Sequence, residues 1–130
     1  MAQTVTTGEK RILIVEDDRG LSNILHDIFT KEGFKVSVAF DGETGLSKAL
    51  SELPHLIILD IQIPRMRGTE LLKKLRENSD GAKIHVIAVT NLDDEETVSK
   101  ILEGNVTNYF VKADLNLSDV IAKTKEILHM

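Results

Sequence analysis

Four segments of the sequence place residues suited to metal or phosphoryl chemistry at the end of a short aliphatic run. Glu16 and Asp17 follow "ILIV", Asp60 follows "LIIL", Thr90 follows "VIAV" and Lys112 follows "YFV". Carboxylates that lie close together repel one another unless a cation joins them, and Mg²⁺ takes oxygen ligands. A lysine ammonium and a hydroxyl suit a phosphoryl group, and a carboxylate can be the nucleophile that forms an acyl phosphate. We therefore predict a Mg²⁺ site that handles a phosphoryl group, with Asp60 as the nucleophile.

The aliphatic runs alternate with segments of helical spacing, which predicts an α/β fold. Short runs predict strands at Arg11–Val15, Lys35–Phe40, Leu56–Leu59, Lys83–Val89 and Val106–Val111. Apolar residues spaced by threes and fours predict helices around residues 21–29, 42–52, 71–75, 98–102 and 117–128. Five strand–helix units predict a doubly wound, five-stranded parallel sheet with five helices. Ligands of such sheets bind at the carboxyl ends of the strands, so the four segments should meet at one edge.

Three residues are expected at helix ends. Asp18 is expected to cap the first helix or to face solvent, as a lone acid after a strand usually does. Gly33 and Asn105 follow the first and fourth helices, where a left-handed C-terminal cap is expected.

Length and composition limit the class of protein. The 130 residues are 42% hydrophobic and suit one domain, which we assign to residues 10–130 after a flexible tail at residues 1–9. The chain has no cysteine, which excludes disulfides and thiolate chemistry, and its charge of −5 argues against direct binding of nucleic acid. It has neither a membrane-spanning run nor a signal-peptide core, so we expect a cytoplasmic protein.

The segments "IVEDD", "LDIQIPRMRG", "AVT" and "YFVK", in this order, resemble the receiver domain of two-component response regulators. The resemblance covers residues 10–129 and implies the flavodoxin-like receiver fold with strand order 2-1-3-4-5. It implies that Glu16 and Asp17 are the acidic pair and that Asp60 is the phosphoacceptor. It also implies that the backbone carbonyl of Gln62 is a further Mg²⁺ ligand.

The resemblance further implies how the phosphoryl group is held and sensed. Thr90 would hydrogen-bond the phosphoryl oxygen, Lys112 would pair with it, and Tyr109 would turn inward when the hydroxyl residue moves. Gln62 and Leu92 lie two residues beyond the phosphoacceptor and the hydroxyl, where the family tunes the lifetime of the phosphate. Because Leu92 is apolar and should keep water away, we predict a long-lived phosphoryl group.

The implied partners are a sensor histidine kinase or phosphotransfer protein, which donates the phosphoryl group, and a downstream protein or second copy. The latter would bind the face made by the fourth helix, the fifth strand and the fifth helix. One alternative is a pseudo-receiver, an interaction module of the same fold that phosphorylation does not regulate. Two other classes are disfavoured. A small Mg²⁺-dependent phosphatase needs an acid at the position of Gln62, and a flavin carrier needs a phosphate-binding loop after the first strand.

Several positions depart from the family's pattern or stay open. Ala113 stands where the family usually has proline in a cis peptide, so a trans or a strained bond is expected after Lys112. Asn91 replaces a small residue and would either narrow the approach of a phosphodonor or cap the fourth helix. Basic residues near the third helix form either a solvated strip or a docking patch: Arg65, Arg67, Lys73, Lys74 and Arg76. The four histidines share no ligand spacing and are assigned no chemistry.

Overall fold

The computed structural model describes residues 10–91 and 95–130, so the predicted tail at residues 1–9 and Leu92 lie outside the described residues. The strands are β1 (Arg11–Val15), β2 (Lys35–Ala39), β3 (Leu56–Asp60), β4 (His85–Thr90) and β5 (Asn108–Val111). The helices are α1 (Arg19–Lys31), α2 (Gly42–Glu52), α3 (Gly68–Glu77), α4 (Glu95–Glu103) and α5 (Leu117–Ile127). The five strands form one parallel sheet in the order β2-β1-β3-β4-β5, which confirms the predicted fold class.

Alternate residues of the central strands bury their side chains in two cores, one on each face of the sheet. Leu13 and Val15 of β1 pack with residues of α2, α3 and α4, whereas Ile12 and Ile14 pack with residues of α1 and α5. A strand that is covered on both faces is apolar at every position, which explains the unbroken aliphatic runs. The polar residue that ends each run is therefore held at the rim of this core.

Some strand ends differ from the prediction. A short 3₁₀ turn occupies Gly81–Lys83, so β4 begins at His85 instead of Lys83. The amide that follows this turn bonds back along the chain and cannot join the sheet ladder, since Ile84 N donates to Gly81 O at 3.1 Å. β2 ends before Phe40, and β5 begins at Asn108 instead of Val106. β3 and β4 instead extend through Asp60 and Thr90, so both residues belong to their strands.

The three predicted caps are confirmed. The Asp18 carboxylate accepts a hydrogen bond from the Leu21 amide at 3.2 Å, at the start of α1. Gly33 and Asn105 have φ angles of 96° and 59°, the left-handed conformation expected after α1 and α4.

Arg76 on α3 does not belong to the exposed basic strip in which the sequence placed it. Its guanidinium donates to five backbone carbonyls, those of Gly81, Ala82, Ile84, Gly104 and Asn105, at 2.7–3.3 Å. The partners lie in the turn before β4 and at the end of α4. Arg76 thus ties α3 to both segments, and burial lowers the pKa of its guanidinium.

Within the two described ranges, no helix combines the length and the apolar character needed to cross a membrane.

Candidate functional site

Three carboxylates meet at the carboxyl edge of the sheet, as predicted. One oxygen each of Glu16, Asp17 and Asp60 lies within 4.8 Å of the others, and this is the one group in the described part of the chain with such spacing of potential metal ligands. The side chains of Glu16 and Asp60 are 3% exposed, whereas Asp17 is exposed. β1 and β3 are neighbours, with Val15 opposite Leu59, and this register brings the acids together. The site therefore has two buried carboxylates and one candidate metal ligand, Asp17, that is open to solvent.

Lys112 bridges the two buried acids. Its Nζ lies 3.0 Å from Glu16 Oε2 and 3.0 Å from Asp60 Oδ2, and its side chain is 22% exposed. Lys112 directly follows β5, where it opens a short 3₁₀ turn over Lys112–Asp114. β5 is two strands away from β3, so the long lysine side chain spans the end of β4 to reach the acids.

The pKa values of the site reflect this crowding of charge. Burial, and then the neighbouring charge of Asp60, raise the pKa of Glu16 from 4.5 to about 7, against the lowering effect of hydrogen bonds from the Asp18 amide and from Lys112. Burial acts to lower the pKa of Lys112, but its hydrogen bonds to Asp60 and Glu16 prevail, and the net pKa is raised. The ammonium of Lys112 therefore stays charged. Its single positive charge offsets only part of the negative charge of Glu16 and Asp60 when both are ionised.

Backbone amides fix the orientation of both buried carboxylates. Glu16 Oε2 accepts from the Asp18 amide at 3.1 Å, and Asp60 Oδ1 accepts from the Gln62 amide at 3.0 Å. Gly68, the first residue of α3, packs directly against this turn. A Cβ at position 68 would lie 2.6 Å from Ile61 Cα and 3.0 Å from Asp60 O, so only glycine lets α3 begin here.

Two other predicted residues, Thr90 and Tyr109, lie on β4 and β5. Thr90 is buried at the end of β4 and pairs in register with Val111, the last residue of β5. Tyr109 is half-buried and packs against the core under α2, α3 and α4. Gln62 is exposed. The role predicted for Leu92 stays a prediction, because this residue is outside the described ranges.

Asn91 makes a contact that neither sequence interpretation foresaw. Its Oδ1 accepts a hydrogen bond from the backbone amide of Ala113 at 2.7 Å, which joins the segment after β4 to the segment after β5. The peptide bond between Lys112 and Ala113 is trans. The sequence signal for this contact is a side-chain amide at position 91 together with a residue other than proline at position 113.

Comparison with known proteins identifies the family of the chain. A sequence profile of the response regulator receiver domain matches residues 12–125, most of the chain. The response regulator ArlR of Staphylococcus aureus (strain NCTC 8325 / PS 47) is 33% identical over 120 residues, which cover 91% of this chain and 52% of ArlR. The chain belongs to the response regulator receiver domain family. It spans about half the length of the curated relatives it matches.

Solved structures are similar over nearly the whole chain. A CheY-like receiver domain protein of Methanospirillum hungatei JF-1 is 35% identical, with a TM-score of 0.85 over 92% of this chain and 94% of that one. The receiver domain of the sensor histidine kinase PA1611 of Pseudomonas aeruginosa PAO1, which has a magnesium ion coordinated in its active site cleft, is 18% identical. Its TM-score is 0.83 over 93% of this chain and 98% of that one, a likeness that supports the fold alone. The chain is thus a receiver domain, a signalling domain of two-component systems.

Proposed function

We propose that this receiver domain accepts a phosphoryl group on Asp60 from a phosphohistidine of a sensor histidine kinase or phosphotransfer protein. The observation that carries the proposal is the set of three carboxylates within 4.8 Å of one another, two of them bridged by Lys112. This arrangement combines a nucleophile, an oxygen-rich metal site and a fixed cation for the incoming phosphoryl oxygens.

The donor set suits a hard divalent cation. Three carboxylates and one ammonium leave two uncompensated negative charges when all four groups are ionised, which one divalent cation neutralises. The two buried carboxylates and the exposed Asp17 suit Mg²⁺, which keeps several water ligands and reaches such a site from solvent. Glu16, Asp17 and Asp60 would hold the ion, and we propose the carbonyl of Gln62 as a fourth protein ligand. When bound, Mg²⁺ would offset the negative charge that the donor and the acids bring together.

The residues of the chain divide the transfer between them. A carboxylate oxygen of Asp60 attacks the phosphorus, the phosphorus–nitrogen bond of the donor breaks, and the histidine imidazole leaves with the electron pair and takes up a proton. Lys112 already contacts Asp60, and its ammonium can pair with the oxygens of the phosphoryl group as that group is transferred. Thr90 supplies a hydroxyl donor to the same group. The product is an acyl phosphate on Asp60.

We propose that the switch reaches partners through the face of α4, β5 and α5. Thr90 pairs with Val111 on β5, so a shift of the hydroxyl residue acts directly on this strand, and Tyr109 lies two residues earlier. Val111 and Leu102 are 43% and 69% exposed, which gives the face apolar side chains for a downstream protein or a second copy of the chain.

The test is phosphorylation by a small donor. The chain is incubated with Mg²⁺ and acetyl phosphate, and its intact mass is recorded. We expect a stable gain of one phosphoryl group that requires Mg²⁺ and is lost in Asp60→Asn. Asp18→Asn is the matched control, because it changes an adjacent acid that caps α1 and an asparagine cap is equally good.

The other outcomes identify the alternatives. Consumption of acetyl phosphate without retained phosphate would indicate a phosphatase. If neither mass nor amide NMR shifts respond to acetyl phosphate or beryllofluoride, the chain is a pseudo-receiver and the proposal is wrong.

A further inference from the structure

We propose that Asn91 is a positioning residue for phosphoryl transfer, because its side chain holds the segment that carries Lys112. This inference rests on the proposed function of Asp60 and Lys112. Its basis is the 2.7 Å hydrogen bond from the Ala113 amide to Asn91 Oδ1, which joins residues 22 positions apart.

The bond continues the sheet beyond its last backbone pair. The ladder between β4 and β5 ends where Thr90 pairs with Val111. Beyond this pair, β5 gives way to the 3₁₀ turn over Lys112–Asp114. The side-chain oxygen of Asn91 reaches across this gap and accepts the amide two residues past the last pair. The start of the turn is thereby fastened to the end of β4.

Lys112 is consequently fixed at three points. The amide of the next residue, Ala113, is held by Asn91, and the carbonyl of Lys112 itself accepts from the Leu115 amide at 3.2 Å. At the far end of the side chain, Nζ contacts Glu16 and Asp60. A lysine side chain has four rotatable bonds, so a fixed backbone restricts where its ammonium can go. Without the contact from Asn91, one of these points is lost, on the side of Thr90.

The chemistry of the two positions fits this role. The bond needs an acceptor oxygen on a short side chain at position 91 and a backbone N–H at position 113. Alanine supplies the N–H, which a proline there would lack. Both residues are exposed, so the bond excludes little water and adds little to the free energy of unfolding. Its effect is to fix the position of the backbone beside Lys112.

The experiment compares phosphorylation rates with acetyl phosphate at saturating Mg²⁺. Asn91→Leu keeps the size of the side chain and removes the acceptor. We expect it to slow phosphorylation about fivefold, which corresponds to a rise of about 1 kcal/mol in the activation free energy. Asn91→Asp retains an acceptor oxygen and should keep more of the rate than Asn91→Leu. If Asn91 merely narrowed the approach to the site, Asn91→Leu would phosphorylate like the wild type.

Two further measurements separate positioning from a general loss of structure. The Ala113 amide should exchange its hydrogen faster in Asn91→Leu while amides of β1 and β3 keep their protection. In an Ala113→Pro background, which lacks the donor, Asn91→Leu should cause no additional slowing; equal slowing in both backgrounds would overturn the inference.

The outcomes also distinguish this inference from the proposed function. If the wild-type chain gains no phosphoryl group, the proposed function fails and the inference falls with it. If the wild type is phosphorylated and Asn91→Leu matches its rate although the Ala113 amide is unprotected, the inference alone is wrong. Should Asn91→Leu fail to fold, Asn91→Ala, which also removes the acceptor, takes its place with the same comparison of backgrounds.

Discussion

Replacing Glu16 with glutamine should stabilise the metal-free protein at alkaline pH. Glu16 is buried beside Asp60, and its pKa rises from 4.5 to about 7. The folded protein therefore retains a proton that the unfolded chain has already released. The stability contributed by protonated Glu16 is fully present below about pH 4.5 and is lost as the pH rises through about 7.

The size of the effect follows from the change in pKa. Each unit of difference corresponds to about 1.4 kcal/mol, so ionised Glu16 reduces the free energy of unfolding by about 3 kcal/mol above about pH 7. Glutamine cannot ionise, while its oxygen can still accept from the Asp18 amide and its NH₂ group can donate to Asp60. We expect Glu16→Gln to be about 3 kcal/mol more stable than the wild type near pH 8, with almost no difference near pH 4.

The assay is urea unfolding at both pH values in the presence of a chelator. Glu77→Gln, which changes an exposed glutamate of α3, is the matched control and should leave the stability nearly unchanged at both pH values. Adding Mg²⁺ should stabilise the wild type and have a smaller effect on Glu16→Gln, which lacks one ligand charge. A difference between Glu16→Gln and the wild type that is the same at both pH values would show that packing causes it and would refute the reasoning.

Three other predictions concern different parts of the molecule. Arg76→Lys should lower the free energy of unfolding by about 2 kcal/mol, because an ammonium has three donors for the five carbonyls that Arg76 binds. Urea unfolding measures this change, and Lys74→Arg is the control. The Nδ1 atom of His55 accepts the Arg11 amide at 3.0 Å, and burial followed by nearby positive charge lowers its pKa, so stability should fall as the pH drops below about 6.5. His55→Asn, which keeps an acceptor, should remove this part of the pH dependence of the urea midpoint. Leu92→Glu should shorten the lifetime of the phosphoryl group, measured as loss of phosphate after donor removal; an unchanged lifetime would contradict the role predicted for Leu92.

The sequence predicted the sheet and the acidic edge because both depend on local patterns. A buried strand needs apolar residues on both faces, as the run Ile12–Val15 shows, and the first polar residue after it marks the edge. The conjunction of Glu16, Asp60 and Lys112 at strand ends then placed the candidate site, and the structure brings these three together.

The contacts that the sequence did not predict involve backbone atoms as partners. Arg76 binds carbonyls and Asn91 binds an amide, and such groups are present at nearly every residue, so no residue type reveals them. His55 was likewise assigned no chemistry, yet its ring accepts the amide of Arg11 at the start of β1. These partners become visible only when the chain path is known.

The position of each strand in the sheet separates the part of the molecule that must stay rigid from the part that can respond. β3, which ends in Asp60, is paired with β1 and β4 and is covered on both faces, so distorting it would disrupt two ladders and both cores. Among residues 10–91 and 95–130, β5 pairs only with β4, through four residue pairs, and Val111 is 43% exposed. A displacement therefore costs less free energy at β5 than at β3. The proposed phosphoacceptor thus lies where the sheet is hardest to distort, and the strand of the proposed partner face is the one that is displaced most easily.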